Sequence, residues 1–123
     1  MPKILIVEDE ESVRQALVKI LENFGHTVLM AADAPEAIMI FERERPDIVM
    51  TDLGLPGPSG WDLARAIKEK DPKVPVVLLS GWDVEMEDKS LTGLVEKILS
   101  KPVKIKEMLD TIDQLARKPE AKV

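Results

Sequence analysis

The sequence predicts an α/β domain in which a parallel sheet lies between two layers of helices. Several short aliphatic runs, of which residues 4–7 and 74–79 are the clearest, are continuous rather than alternating, which is typical of strands buried on both faces. Stretches with helical spacing of apolar residues separate these runs. Alternating β/α units of this kind form a parallel sheet covered by helices on both faces. The length of 123 residues suits one compact domain.

The first two predicted strands flank a well-marked helix. Residues 4–7 and 27–31 are these strands, and Gly25 stands where the C-cap of the intervening helix belongs. Apolar residues recur along this helix at intervals of three and four and form one face of it. These residues are Val13, Ala16, Leu17, Ile20, Leu21 and Phe24.

The second predicted helix carries signals at both ends. Asp33 and Glu36 indicate a capping box, and Pro35 stands in the first turn, where proline is tolerated. The Arg45-Pro46 pair stops the helix, because proline disfavours the helical conformation of the residue before it. The inner face of this helix is formed by Ala37, Ile38 and Phe41.

Three further strands and two clear helices follow. Residues 48–51, 74–79 and 95–99 predict the third, fourth and fifth strands, and the fifth has the weakest signal. The polar, loosely periodic stretch between Gly81 and Gly93 predicts a short or irregular fourth helix. The third helix is marked by Trp61, Ala64 and Ile67, and the last helix by Ile105, Met108, Leu109, Ile112 and Leu115.

Composition and charge argue against several classes of protein. The absence of cysteine excludes disulfides, thiolate zinc sites and cysteine catalysis. A formal net charge of −6 argues against a general nucleic-acid or anionic-membrane surface, because both favour basic patches. The apolar run near the N-terminus is too short for the core of a signal peptide, and no run approaches a membrane span. We therefore expect a cytoplasmic domain that contacts neither nucleic acid nor membrane directly.

Polar residues stand directly after four of the five predicted strands. In a parallel sheet the carboxyl ends of the strands meet at one edge, and ligands of such folds bind there. We therefore expect three carboxylates, a hydroxyl and an ammonium group to converge. The residues that end or follow these strands are, in chain order, Glu8 and Asp9, Asp52, Ser80, and Ser100 with Lys101.

Convergence of these groups favours phosphoryl transfer. Three close carboxylates raise one another's pKa values and destabilise the fold unless a cation offsets them, which Lys101 does in part and Mg²⁺ would do more fully. A carboxylate, a metal ion, a lysine and a hydroxyl suit a reaction that depends on positioning and charge neutralisation, with the carboxylate as nucleophile. Taken singly, the acidic pair is a helix N-terminal charge and Asp52 a turn residue. The ordered combination favours the site.

Four segments of the chain carry a family pattern, "ILIVEDE", "IVMTDLGLPGPSGWDL", "VPVVLLSG" and "LSKPV". Through these segments the chain resembles the receiver domains of two-component response regulators. The resemblance covers essentially the whole chain, and it implies a flavodoxin-like (βα)5 three-layer sandwich with strand order 2-1-3-4-5. We place the receiver domain at residues 1–117 and interpret residues 118–123 as a solvated tail or the start of a linker.

The resemblance implies a phosphoacceptor and a metal site. Asp52 would take a phosphoryl group from a histidine kinase or a phosphotransfer protein. Glu8, Asp9 and Asp52, with the backbone carbonyl of Gly54, would bind Mg²⁺, for which Mn²⁺ is the alternative. Glu8 stands where the family more commonly has Asp, so its side chain is longer by one methylene group.

The resemblance also assigns roles to three residues near the ends of the last two strands. Lys101 would pair with one phosphoryl oxygen, and Ser80 would donate a hydrogen bond to another. The Lys101-Pro102 peptide bond is expected to be cis, an isomer that proline permits at low cost. These donors suit an aspartyl phosphate, which carries about −1.5 to −2 charge and three strong acceptor oxygens.

The sequence departs from the family at the switch. Receivers commonly carry an aromatic residue three positions before the lysine, where this chain has Ile98. We hypothesise that Trp82, two residues after Ser80, takes over as the mobile aromatic, although a simply packed tryptophan is equally compatible with the sequence. Gly54 leaves room for an attacking water and Trp82 is bulky enough to shield the phosphoryl group, and the sequence does not decide which effect prevails.

Several functions compete at this level. The leading prediction is a phosphorylatable module that signals by conformational change and is not a turnover enzyme, although it assists its own phosphorylation and dephosphorylation. The alternatives are an interaction-only pseudo-receiver, a small-molecule binder and a phosphatase with an aspartyl-phosphate intermediate. The expected partners are the phosphodonor and either a downstream protein or an output domain absent from this sequence. We expect a monomer or a weak, phosphorylation-dependent dimer.

Overall fold

A computed structural model of the protein describes residues 2–81 and 93–116. Within these ranges five strands form one parallel sheet with the order β2-β1-β3-β4-β5, as predicted. The predicted fourth helix, like Trp82, falls in residues 82–92 and lies outside the described residues. The strands are β1 (Lys3–Val7), β2 (Thr27–Ala31), β3 (Ile48–Asp52), β4 (Val76–Ser80) and β5 (Lys97–Ser100), and the helices are α1 (Glu11–Asn23), α2 (Ala34–Glu44), α3 (Gly60–Lys70) and α4 (Ile105–Leu115).

The sheet separates two hydrophobic cores. Leu5 and Val7 of β1 pack on the side of α2 and α3, whereas Ile4 and Ile6 pack on the side of α1 and α4. Both sets are fully buried, which explains why this run is continuously aliphatic. Full burial of one such side chain contributes about 1.5–3 kcal/mol, so the two cores hold the sheet rigidly. The strand ends are therefore fixed in space.

The strand boundaries differ from the predictions by one or two residues. β4 begins at Val76 rather than at Val74, because the Val74 amide donates to the carbonyl of Asp71 in the preceding turn at 3.3 Å. β5 begins at Lys97 rather than at Val95. β3 extends through Asp52, so the acidic residue is part of the sheet.

The capping box predicted at the start of α2 does not form, whereas an unpredicted one forms at the start of α3. The Asp33 side chain accepts from the Glu36 amide at 2.9 Å, but the Glu36 carboxylate accepts from Ala32 at 2.8 Å instead of closing a capping box with Asp33. A complete capping box opens α3, where Ser59 and Asp62 each accept from the other's backbone amide. This box orients α3 directly after the loop that follows β3.

The two helix ends follow the predicted signals. The C-cap of α1 is Phe24, one residue before the predicted Gly25, and Gly25 follows it with a φ of 90°, in the left-handed region that favours glycine. α2 ends at Arg45, which has a φ of 51° and holds its guanidinium 5.4 Å from the centre of the Phe41 ring. Lys3 donates to the carbonyl of Glu44 at 3.0 Å, so the end of α2 is tied to β1.

Candidate functional site: an acidic cluster at the carboxyl edge

The predicted site residues from four strand ends meet at one edge of the sheet, which we call the carboxyl edge. The parallel register places Asp52 of β3 beside Leu79, and Ser80 of β4 beside Ser100 of β5. Glu8 and Asp9 directly follow β1, the other neighbour of β3. Carboxylate oxygens of Glu8, Asp9 and Asp52 all lie within 4.8 Å of one another. These three side chains form the acidic cluster.

Lys101 provides a positive charge within the acidic cluster. Its Nζ lies 2.6 Å from Oδ1 of Asp52 and 3.4 Å from Oε1 of Glu8. Partial burial alone would lower the pKa of Lys101, but the hydrogen bond and charge of Asp52, together with Glu8, outweigh burial and raise it above its usual value. Lys101 is therefore a permanent cation at neutral pH that holds Asp52 in place.

Glu8 is the most deeply buried member of the acidic cluster, with 2% of its surface exposed. Burial is the main reason that its pKa is raised, and the charge of Asp52 adds to this; the Glu10 amide and Lys101 act in the opposite direction. The amide of Glu10 donates to Oε2 of Glu8 at 3.1 Å. The cluster thus contains more negative charge than the adjacent lysine neutralises.

The donor set of the acidic cluster suits a hard divalent cation. Three carboxylates offer oxygen atoms from two strand ends, and Asp9 is exposed to solvent while Glu8 and Asp52 are buried. Mg²⁺ prefers a few carboxylates together with water and phosphate oxygens. A cation there would offset both the desolvation of the Glu8 carboxylate and its repulsion by Asp52. The arrangement fits the predicted metal.

Asp52 is fixed by its backbone as well as by Lys101. Its carbonyl accepts from the hydroxyl of Thr51 at 3.0 Å, and the amide of Leu53 donates to Leu79 of β4 at 2.9 Å. Gly60, the first residue of α3, packs so closely that a Cβ there would lie 2.5 Å from the Asp52 carbonyl oxygen. The sheet and α3 therefore determine the position of the Asp52 carboxylate.

The loop after Asp52 opens the site on one side. Gly54 is exposed, and a Cβ added to it would meet no described heavy atom within 4 Å. The chain then turns through Gly57, which has a φ of 75°, and returns so that the Gly60 amide donates to Leu53 at 2.9 Å. Among the described residues, this turn leaves space around Gly54, two positions after the phosphoacceptor candidate.

The ends of β4 and β5 bring Ser80 and Lys101 to the same edge. The amide of Lys101 donates to the carbonyl of Ser80 at 2.7 Å, and the Lys101-Pro102 peptide bond is cis, the isomer that the resemblance implies. Ser80 is 1% exposed. Ile98 lies beside Leu78 in the sheet register and is half-buried against the core on the side of α2 and α3.

A groove of about 490 Å³ opens beside Lys101, between α1 and the segment after β5. Its lining is mainly apolar, and Lys101, whose ammonium group contacts the acidic cluster, is one of the lining residues. The lining residues are Glu10, Val13, Leu17, Leu79, Lys101, Pro102 and Val103.

Arg14 is a site residue that the sequence analysis missed. Its Nη1 donates to the backbone carbonyl of Glu8 at 2.8 Å. The partner is a main-chain atom, so the contact cannot be predicted from complementary side-chain types in the sequence. The available signal was its spacing, since Arg14 follows Glu8 by six residues and lies near the start of α1.

Comparison with known proteins identifies the family. The family model for the response regulator receiver domain matches residues 4–113. The sensory transduction protein RegX3 of Mycolicibacterium smegmatis is 34% identical over 96% of this chain, and the virulence transcriptional regulatory protein PhoP of Salmonella typhimurium is 34% identical over 96%. The chain belongs to the response regulator receiver domain family, whose members act in two-component signalling.

Solved structures agree with this assignment. A response regulator receiver domain protein from Clostridium thermocellum superposes with a TM-score of 0.88 at 30% identity, covering 94% of both chains. The chemotaxis protein CheY4 of Vibrio cholerae gives 0.86 at 26% identity, covering 94% of this chain and 98% of that one. The predicted flavodoxin-like receiver fold is confirmed.

The chain spans about half the length of the curated relatives it matches, 52% for RegX3 and 53% for PhoP. The structure of NtrX from Brucella abortus is similar over 94% of this chain but only 27% of its own, with a TM-score of 0.85 at 28% identity. Across residues 2–81 and 93–116, no helix combines the length and apolar character needed to cross a membrane.

Proposed function

We propose that this receiver domain accepts a phosphoryl group on Asp52 from the phosphohistidine of a histidine kinase or a phosphotransfer protein. The observation that carries the proposal is the 2.6 Å contact between Asp52 and Lys101 inside the acidic cluster. A carboxylate held by a cation at a rigid strand end is oriented as a nucleophile and has little positional freedom to lose in the reaction. Membership of the receiver family supports the same role.

The reaction would transfer the phosphoryl group without any change of oxidation state. An Asp52 carboxylate oxygen bonds to phosphorus while the phosphorus–nitrogen bond of the donor breaks, and its electron pair stays on the imidazole nitrogen. Charge then accumulates on the equatorial phosphoryl oxygens, where positioned cations and donors stabilise it. Lys101 would pair with one of these oxygens and Ser80 would donate to another.

We propose that Glu8, Asp9 and Asp52 hold Mg²⁺ together with the Gly54 carbonyl, with Mn²⁺ as the alternative. When bound, the ion would neutralise phosphoryl charge and orient the reacting oxygens. The chain's own contribution is a set of oxygen atoms within 4.8 Å of one another on the rigid ends of two strands. The closeness of three carboxylates and the buried position of Glu8 support the proposal.

Phosphorylation would shift an equilibrium between two conformations rather than begin a catalytic cycle. We propose Ser80, Ile98 and Trp82 as the switch. Ile98 is half-buried in β5, so a movement of the β4 end toward the phosphoryl group would change its packing without any aromatic rotation. The open space at Gly54 leaves access for hydrolytic water, so the domain would assist loss of its own phosphate.

The proposed partners follow from this role. The receiver domain would occupy residues 1–117 and pass its state to a downstream protein or to an output domain joined after residues 118–123. The length of the relatives supports an output domain, since this chain matches about half of each. We propose a cytoplasmic protein whose receiver domain is a monomer or a weak phosphorylation-dependent dimer and binds neither nucleic acid nor membrane itself.

Intact mass after incubation with acetyl phosphate and Mg²⁺ tests the proposal. We expect a gain of one phosphoryl group in the wild type, none in Asp52→Asn, and none in the wild type when EDTA replaces Mg²⁺. Asp113→Asn on the exposed face of α4 makes the same change of charge and should be phosphorylated normally. A folded wild type that gains no mass contradicts the proposal and favours the interaction-only pseudo-receiver.

A further inference from the structure

We propose that Arg14 is a positioning residue that holds the Glu8-Asp9 peptide in the geometry needed for Mg²⁺ binding. This inference rests on the proposed function, because it concerns the same acidic cluster. Its basis is the hydrogen bond from Nη1 of Arg14 to the carbonyl oxygen of Glu8, at 2.8 Å. The contacted carbonyl belongs to the peptide unit that links Glu8 to Asp9.

The Glu8 carbonyl lies just beyond the regular sheet. Pairing between β1 and β3 ends with Val7 opposite Thr51, and the amide of Glu8 still donates to Ala31 at 3.1 Å. The carbonyl of Glu8 instead accepts from the guanidinium of Arg14. A bond from an ionised donor is shorter and stronger than one between neutral groups, so it restrains the peptide plane effectively.

Restraint of that peptide reaches both acidic side chains. A peptide unit is planar, so fixing the direction of its carbonyl limits the ψ angle of Glu8 and the φ angle of Asp9. A second bond acts on the same segment, since the Glu10 amide donates to Oε2 of Glu8 at 3.1 Å. The amide of Arg14 also donates to the carbonyl of Glu10 at 2.9 Å, which ties the start of α1 to the same turn.

The location of Arg14 in α1 supports a role beyond helix stability. α1 begins at Glu11, so Arg14 lies in the first turns of the helix. A cation is disfavoured there, because the N-terminal end of the helix macrodipole is positive. The bond to Glu8 and the negative charge of the acidic cluster supply the compensating interaction. Arginine rather than lysine suits this position, because its planar guanidinium directs the donated hydrogen.

We test the inference with Arg14→Met, Arg14→Lys and the matched control Arg65→Met, which removes one arginine from the exposed face of α3. Calorimetric titration with MgCl₂ measures metal affinity, and acetyl phosphate labelling at saturating Mg²⁺ measures the rate. Loss of an interaction that orients a metal ligand typically weakens metal binding about 10- to 100-fold. We expect about tenfold weaker binding for Arg14→Met, a smaller loss for Arg14→Lys, and none for Arg65→Met.

The labelling rate at saturating Mg²⁺ should return to within about twofold of wild type in Arg14→Met, because the reacting groups Asp52 and Lys101 are unchanged. Urea unfolding confirms that each variant is folded at the titration temperature. Unchanged Mg²⁺ affinity in a folded Arg14→Met overturns the metal-positioning role, as does an affinity loss of the same size in Arg65→Met.

Amide hydrogen exchange without metal separates this inference from the proposed function. In Arg14→Met the amides of residues 8–10 should exchange at least about threefold faster, while those of β4 are unchanged, because loss of one restraint opens the segment locally. A wild type that binds no Mg²⁺ overturns the proposed function, and exchange alone then judges whether Arg14 positions the peptide. Unchanged exchange in residues 8–10 overturns the inference in either case.

Discussion

The amino and carboxyl edges of the sheet each bring a lysine into contact with carboxylate oxygens. At the amino edge, where the strands begin, Glu96 accepts from the Val76 amide at 2.8 Å and from Lys68 at 2.7 Å. Lys68 also donates to the carbonyl of Val74 at 2.8 Å. One carboxylate and one ammonium group thus meet several partners within the chain.

At the carboxyl edge, by contrast, negative charges outnumber positive ones. Three carboxylates lie within 4.8 Å of one another, and Lys101 contacts two of them. Burial raises the pKa of Glu8, which marks a cost of keeping that group ionised. The amino edge is therefore organised to stabilise the fold, whereas the carboxyl edge retains a negative charge that an added cation would relieve.

The largest expected effect tests how rigidly the sheet and α3 hold the carboxyl edge. Gly60→Ala places a Cβ 2.5 Å from the Asp52 carbonyl and 2.9 Å from Cα of Leu53, both backbone atoms. We expect the free energy of unfolding to fall by about 3 kcal/mol, because neither the strand nor α3 can yield without losing core packing. Urea unfolding measures this.

Gly54→Ala is the matched control for that substitution. A Cβ at Gly54 meets no described heavy atom within 4 Å, and its φ is outside the left-handed region, so the free energy of unfolding should change by less than about 0.5 kcal/mol. Equal losses for the two variants would show that the close approach of Gly60 to Asp52 does not hold the carboxyl edge rigid.

The next effect is stabilisation by Mg²⁺. A cation that binds only the folded acidic cluster raises the free energy of unfolding by about 2.7 kcal/mol at a concentration one hundred times its dissociation constant. Glu8→Gln should reduce this gain, because it removes one charged ligand, whereas Glu96→Gln at the amino edge should leave it unchanged. Thermal unfolding with MgCl₂ or with EDTA provides the measurement, and a gain that is equal in all three proteins argues against binding at the cluster.

Without metal, the same two substitutions should change stability in opposite directions. Glu96→Gln keeps an acceptor for Val76 but loses the ion pair with Lys68, whose side chain is only 12% exposed, and we expect a loss of about 1 kcal/mol. Glu8→Gln removes a buried charge while keeping an acceptor for the Glu10 amide, and we expect a gain of about 1 kcal/mol. Urea unfolding in EDTA measures whether each substitution raises or lowers the free energy of unfolding.

Much of this contrast was predictable from the sequence. The carboxyl-edge residues were predictable because each lies one or two positions after an aliphatic run, and burial of both sheet faces makes such runs easy to recognise. The amino edge was not predicted. Its Glu96–Lys68 pair joins residues 28 positions apart, and no local pattern encodes it. The start of β4 is set by a local turn from Asp71 to Val74, which the apolar residue type at Val74 does not reveal.

Helix capping shows that residue types also fail to predict some contacts between residues close in sequence. Asp33 and Glu36 match the usual capping-box pattern, yet Glu36 bonds to Ala32, because the backbone before the helix presents that amide instead. Ser59 and Asp62 form the complete box with a shorter acid than the usual pattern contains. Arg14 was missed for a related reason, since its partner is a carbonyl.

The smallest expected effect concerns an unpaired group near the amino edge. His26 directly precedes β2, and its buried Nδ1 has no hydrogen-bond partner among the described residues. Burial lowers the pKa of His26 below its usual value of 6.5, although the charge of Asp113 acts in the opposite direction. Below that pH the unfolded chain takes up a proton more readily than the folded protein, so stability falls as pH decreases.

His26→Gln removes this titration. Between about pH 7.5 and pH 5.5 the wild type should lose more free energy of unfolding than the variant, whereas the acidic groups elsewhere contribute equally to both. Urea unfolding at several pH values gives the difference between the two curves. Parallel curves would mean that His26 is as easily protonated in the folded protein as in the unfolded chain, and the unpaired Nδ1 would then carry no energetic consequence at the amino edge.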